Sequence, residues 1–331
     1  MAEIAERPTV KNLARRFLRH ENAVLVIVLI ALIGAMAGVT KGLTARRDNV
    51  MNILLQSSIR GVASVGQAFV VLSAGIDISI GGVGLICASL GASLMTQIPE
   101  LNIVGHPVSI YAAMPIMLLV GASWGVANGS LVSRVGVPAL IVTLGMWQIC
   151  KGAAFRLSLG KMIHELPEGL AFFGLGDVAG VPVPTIIFIA VAVTAYFVIN
   201  HTTFGKSVYA VGGNPLSAWL CGINIKNIRF MVYVISGLLA GLAGLIMTAR
   251  SMSSSMATLK GLELDSIAAV FIGGVSLTGG IGTLTGVIIG VFIIGVINNG
   301  MSVLGANIAL QSMAKGAIIF TAVAIDYLRR R

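Results

Sequence analysis

The chain has 331 residues, 56% of them hydrophobic and only 10% charged, with 41 glycines and a formal net charge of +10. A soluble domain carries about a quarter charged residues, so this composition excludes one and indicates an all-α polytopic membrane bundle, in which glycine lets helices approach closely. The positive charge gathers at the chain ends and between apolar runs, a topology signal rather than a nucleic-acid surface.

A basic N-terminus, residues 1–21 with Lys11, Arg15, Arg16 and Arg19, precedes the first apolar segment. Crossing the hydrocarbon as helix takes roughly 20 residues. Segments near that length lie at about 22–40, 61–76, 80–96, 110–132, 137–158, 184–200, 229–249, 263–278, 283–304 and 308–327, about ten spans in a single transmembrane domain of residues 22–327. The second and eighth are short and Gly-rich, and read as broken or re-entrant. Arg134 after the fourth span, Lys206, Lys226 and Arg229 around the sixth and seventh, and a basic tail at 328–331 place both termini in the cytoplasm. The loop "TKGLTARRDN" runs against this topology, since it falls outside yet carries Lys41, Arg46 and Arg47. "AMA" at 35–37 imitates a signal-peptide cleavage site, but its apolar run is long enough to span.

Asp77 sits between the second and third spans. An acid at membrane depth is expensive enough to be functional, although capping the next helix explains it as well. The stretch 66–84 is echoed by 265–282, each an apolar run followed by a hydroxyl residue and a Gly pair. Duplicated halves produce such an echo, and so does chance in Gly-rich sequence. Cys87, Cys150 and Cys221 form no C-x-x-C and read as packing residues. Gln67, Ser73, Asn128, Thr143, Gln148, Asn298, Asn299 and Gln311 are candidates to line a path for a hydroxylated solute, and helix–helix hydrogen bonding accounts for the same residues.

Between the sixth and seventh spans, residues 201–226 form the longest internal loop on the cytoplasmic side. "GGNP" supplies a turn and Pro215 a helix start. Leu216, Trp219 and Leu220 then share one face, and Gly222 is a stop. Such a capped helix with an exposed aromatic suits docking to a soluble partner, while Trp219 as a lipid-interface anchor is the alternative. Further on, Glu263 and Asp265 open the eighth span, where acids suit the positive end of a helix dipole. Lys315 lies about two turns inside the last span and needs a carboxylate, backbone carbonyls or a wet cavity; its natural partners are Glu263 or Asp265, either as a structural pair or on a translocation path.

From about residue 49 onward the chain resembles the permease subunits of bacterial ABC importers for ribose, galactose and related sugars, a group that includes autoinducer permeases. The resemblance is carried by "SAGIDISIGG" (73–82), "VPALIVTLGMWQICKG" (137–152), "TTFGKSVYAVGGNP" (202–215) and "ELDSIAAVFIGGVSLTGGIGTLTG" (263–286). It implies an inner-membrane permease that forms the path for a sugar or sugar-like solute delivered by a periplasmic binding protein, working as two copies or beside a related permease. It also implies a coupling helix that seats in an ABC ATPase subunit, a role falling on Asn214, Ser217, Ala218, Leu220, Gly222 and Ile223. Trp219 stands where the family often has Arg, and Cys221 where Ser is frequent. The family likewise has an acid at the position of Asp77.

No cofactor is expected on this chain: with no G-x-x-x-x-G-K-[ST] loop, ATP and Mg would belong to the partner subunit. "GGVSLTGGIG" reads as helix packing rather than a phosphate cradle. H-E-x-x-H is absent and the G-x-S-x-G at 121–125 lies inside an apolar span rather than at a strand-to-helix turn, so no nucleophile is marked and the motifs argue against an enzyme. An ion-coupled secondary transporter of a small polar solute is the alternative, and a passive channel a third option. Ion coupling usually leaves several carboxylates near the midplane, whereas these acids cluster at span ends.

Overall fold

The computed structural model describes residues 22–328; the basic N-terminus 1–21 and residues 329–331, which carry part of the orientation argument, lie outside them. Thirteen α-helices are present among the described residues. They are α1 (Ala23–Val39), α2 (Arg47–Leu72), α3 (Ile80–Met95), α4 (Ile110–Ser130, extended by a π-turn at Leu131–Val135), α5 (Ala139–Ser158) and α6 (Ala171–Leu175), then α7 (Val183–His201), α8 (Thr203–Gly213), α9 (Pro215–Leu220), α10 (Ile225–Ser251), α11 (Leu262–Ile272), α12 (Leu284–Val303) and α13 (Ile308–Leu328). Among the described residues, sheet is confined to a hairpin, Asp177–Val178 against Val181–Pro182.

The fold is the expected all-α polytopic bundle. Each apolar segment falls on a helix, and four helical stretches, Ile110–Val135, Val183–His201, Ile225–Ser251 and Leu284–Val303, are long and apolar enough to cross a membrane. One expectation is corrected. The second segment is not short or broken: it is the C-terminal part of α2, a continuous 26-residue helix. The first half of α2 carries Asn49, Asn52, Gln56, Ser57, Ser58 and Arg60, which hid it from a hydropathy window. These side chains turn to other helices: Asn49 and Asn299 of α12 exchange amide hydrogen bonds at 2.8 and 2.9 Å, and Ser58 Oγ donates to Thr185 Oγ1 of α7 at 3.1 Å. The eighth segment is broken as expected, α11 ending at Ile272 and α12 starting only at Leu284.

α10 forms the centre, with Tyr233, Ser236, Gly237, Ala240, Gly241, Gly244 and Leu245 among its buried residues. Its closest partner is α4, where Met117, Gly121, Gly125 and Gly129 repeat every four residues along the buried face. A Cβ on Gly121 would strike the Gly237 carbonyl, and one on Gly237 the Gly121 carbonyl. Lipid tails are as apolar as Leu, so hydrophobicity alone cannot pair these helices; backbones brought together by small residues supply the dispersion contact instead. Gly84 and Gly244 repeat the device between α3 and α10.

Candidate functional site

The segment 201–226 is more helical than the sequence suggested. Thr202 caps α8, its hydroxyl accepting from Gly205 N–H at 3.2 Å, and Asn214 caps α9 by accepting from Ser217 N–H at 3.0 Å. With Pro215 at the first position, the start of α9 is fixed. Its end is fixed too: Ile223 N–H donates to Ala218 O at 3.0 Å and Gly222 N–H to Trp219 O at 2.9 Å, with Gly222 left-handed at φ 81°. The result is a rigid helix of six residues whose Leu216, Trp219 and Leu220 are 67%, 63% and 72% exposed. Asn214, Ser217 and Gly222 are also exposed and Ile223 is half-buried, whereas Ala218 turns inward against the protein's own body.

Immediately before α9, Gly212 at the end of α8 presses against two helix breaks at once. A Cβ there would overlap the Leu72 carbonyl, where α2 ends, and crowd the Gly280 amide in the α11–α12 break. Gly280 N–H donates to Leu72 O at 2.9 Å, and Tyr209 of α8 donates to Gly282 O at 2.9 Å. The two stretches that echo each other in sequence therefore share one pattern, helix, break, helix, and their breaks touch.

The first break, residues 73–79, is organised by Asp77, which is 2% exposed. Its Oδ1 accepts from Ser79 N–H at 2.9 Å and from Ser79 Oγ at 2.6 Å, and Oδ2 accepts from Ser236 Oγ of α10 at 2.7 Å. Asn128 of α4 donates to Ser79 Oγ at 2.7 Å, and Tyr233 OH to Ile76 O at 3.2 Å. With its amide oriented to suit its neighbours, Gln67 bridges the Asp77 backbone, donating to O at 3.0 Å and accepting from N at 3.3 Å. Asp77 thus braces the turn that leads into α3 without capping the helix's own first-turn amides, and it knots α2, α3, α4 and α10 together.

A second charged cluster joins α2, α11 and α13. Arg60 Nε donates to Asp265 Oδ2 at 2.9 Å, and Lys315 Nζ lies 2.8 Å from Asp265 Oδ1 and donates to Oδ2 at 3.2 Å. The acid expected for Lys315 is therefore Asp265. Glu263 faces α3 instead, packed onto Gly81. Arg60, 205 residues away from Asp265, was not singled out in the sequence, nor was Lys151, whose ammonium sits 4.2 Å over the Trp147 ring on α5.

The path candidates do not form one site. Gln67 and Asn128 meet at Asp77. Ser73 and Thr143 bond back to Val70 O and Ala139 O of their own helices, and Gln311 bonds to Ala306 O. Asn299 pairs with Asn49, and both amide atoms of buried Asn298 lack a hydrogen-bond partner. Gln148 is exposed on α5, on the same face as Gly145 and Gly152. Among the described residues no group of His, Cys, Asp and Glu could hold a metal ion.

The family model described as the permease component of branched-chain amino acid transport systems matches residues 49–323. The chain is 35% identical over 313 residues to the ribose import permease protein RbsC of Escherichia coli strain K12, covering 93% of this chain and 94% of that protein. It is 35% identical over 281 residues to the D-allose transport system permease protein AlsC of the same strain, covering 85% and 84%. It is 32% identical over 311 residues to the L-arabinose ABC transporter permease protein AraH of Azospirillum brasilense, covering 94% and 88%. No solved structure matches the chain.

Proposed function

This chain belongs to the family of transport-system permease components matched over residues 49–323, and on that premise we propose that it forms the membrane path of an ATP-driven importer for a pentose-like or other polyhydroxylated sugar. It is a transport subunit of a membrane protein family. The observation that carries the sugar assignment is the full-length likeness to permeases named for ribose, allose and arabinose, which outweighs the amino-acid wording of the broader family description.

On this reading the subunit sits in the bacterial inner membrane with α8 and α9 in the cytoplasm, beside a second permease copy or a related permease. A periplasmic binding protein delivers the solute at the opposite end, and a separate ABC ATPase holds ATP and Mg. The exposed face of α9 seats in the ATPase through Leu216, Trp219 and Leu220, while Asn214 and Gly222 keep the helix from fraying as it is pushed. Because α9 is rigid, a push on it moves Gly212 against the joined breaks at Leu72 and Gly280, and moves α10, whose Ser236 holds Asp77. Helix breaks are where a bundle bends at least cost, since their backbone groups are already held by partners other than their own helix.

Affinity purification in mild detergent, with mass spectrometry of co-purifying proteins and of the small molecule on any binding protein, tests this reading. An ABC ATPase and a sugar-loaded binding protein are expected. Co-purification with a leucine- or valine-loaded binding protein would overturn the sugar assignment while keeping the importer.

A further inference from the structure

A cavity of about 360 Å³ is lined by Gln56 and Arg60 of α2, Arg250 at the end of α10, Lys260 of the α10–α11 connection, Asp265 and Lys315. Four cations surround one carboxylate. That carboxylate is already engaged by Arg60 Nε and Lys315 Nζ, and the other acid of α11, Glu263, is turned away onto Gly81. The remaining cationic groups lack acid partners: Arg60 Nη1 is buried with no hydrogen bond, and Arg250 donates only to the neutral Asn52 Oδ1, at 3.3 Å. Among the described residues, neither Arg250 nor Lys260 has a carboxylate in salt-bridge range.

Uncompensated cations near hydrocarbon are expensive, and the cost falls when an anion joins them. Two guanidinium forks present parallel N–H donors to a tetrahedral or planar oxyanion, and an ammonium adds a point charge. We propose that this cavity binds a phosphate group through Arg60, Arg250 and Lys260. The group comes either from the headgroup of an anionic phospholipid or from a free phosphate-bearing solute.

The test uses the purified full chain and follows thermal unfolding. In neutral detergent, inorganic phosphate is compared with chloride at equal ionic strength; in nanodiscs, phosphatidylglycerol is compared with phosphatidylcholine. A ligand that binds only the folded state raises the unfolding temperature by mass action, here by a few degrees. Arg250→Gln and Lys260→Gln should lose that rise, and Lys260, exposed in a connection, can be changed without threatening the fold. A rise with inorganic phosphate that the variants lose supports the site with a free solute as its source. A rise only with phosphatidylglycerol, again lost in the variants, supports it with lipid as the source. No rise with either probe, or an equal rise in parent and variants, overturns the proposal.

Discussion

The Gly280 amide donates to the Leu72 carbonyl at 2.9 Å, so the break that ends α2 is bonded to the break between α11 and α12. Gly212, one turn of chain before the exposed face of α9, is wedged against both partners. A side chain at 212 has no room except by forcing the breaks apart, an overpacking strain of about 1–3 kcal/mol. Gly212→Val should therefore insert and retain the ATPase while its substrate-stimulated uptake falls roughly tenfold or more. Uptake and ATPase activity of the reconstituted complex, beside a membrane-insertion control, check this; parental uptake would mean the junction carries no force.

Trp219 tests the docking face separately. It is 63% exposed and its side chain makes no hydrogen bond, so Trp219→Ala, which keeps the backbone bond from Gly222, should leave thermal stability unchanged. If Trp219 is an anchor in a partner groove, the truncation weakens ATPase binding by about 1–3 kcal/mol. Titration of the labelled ATPase subunit onto the solubilised chain measures it. Unchanged binding would return Trp219 to a lipid-interface role. Gly222 needs a different expectation from one based on crowding: a Cβ there meets nothing within 4 Å, but φ of 81° disfavours any side chain. Gly222→Ala should then loosen the end of α9 and weaken coupling in proportion.

Asp265 and Lys315 should behave unequally. Removing Lys315 as Lys315→Met leaves Asp265 still bonded to Arg60 at 2.9 Å, so folding should survive. Removing the shared acid as Asp265→Ala strands two cations, and breaking a buried pair in this way costs about 3–5 kcal/mol. Melting temperatures of the two variants in one detergent decide the matter: Asp265→Ala should fall well below Lys315→Met, and equal values would contradict the shared-acid geometry.

For Asp77 the ranking runs through hydrogen bonds. Asp77→Ala abandons three donors, the Ser79 amide and the two hydroxyls of Ser79 and Ser236, and each hydrogen bond to a charged group is worth about 1.5–3 kcal/mol. Asp77→Asn retains an oxygen acceptor in the same place. Detergent stability should order parent above Asn above Ala, and an Ala variant as stable as the parent would show that the knot is not structural.

How legible this was depended on the range over which each signal acts. Local chemistry was readable: Asn214, Pro215 and Gly222 marked both ends of α9 because caps and left-handed stops depend on adjacent residues. The Lys315 partner was foreseeable because an ammonium within a span has few acids to choose from. α2 was mistaken because polarity in its first half is compensated across helices, by Asn299 for Asn49 and by Asp265 for Arg60, pairings separated by 250 and 205 residues that no window along the chain can contain. The Asp77 knot was half visible: the turn bond to Ser79 is local, while Ser236 and Asn128 arrive from α10 and α4. The path candidates scattered because a buried amide is satisfied by a neighbouring helix as readily as by a solute.

The central claim, that an ATPase bound at α9 drives solute through this subunit, is tested most directly by uptake of radiolabelled ribose into proteoliposomes holding this chain, with the ATPase and the binding protein supplied. The account predicts uptake that requires ATP and the ATPase, persists with an ionophore, and is lost in Gly212→Val. Ribose uptake that proceeds without the ATPase and collapses when an ionophore dissipates the ion gradient would contradict it.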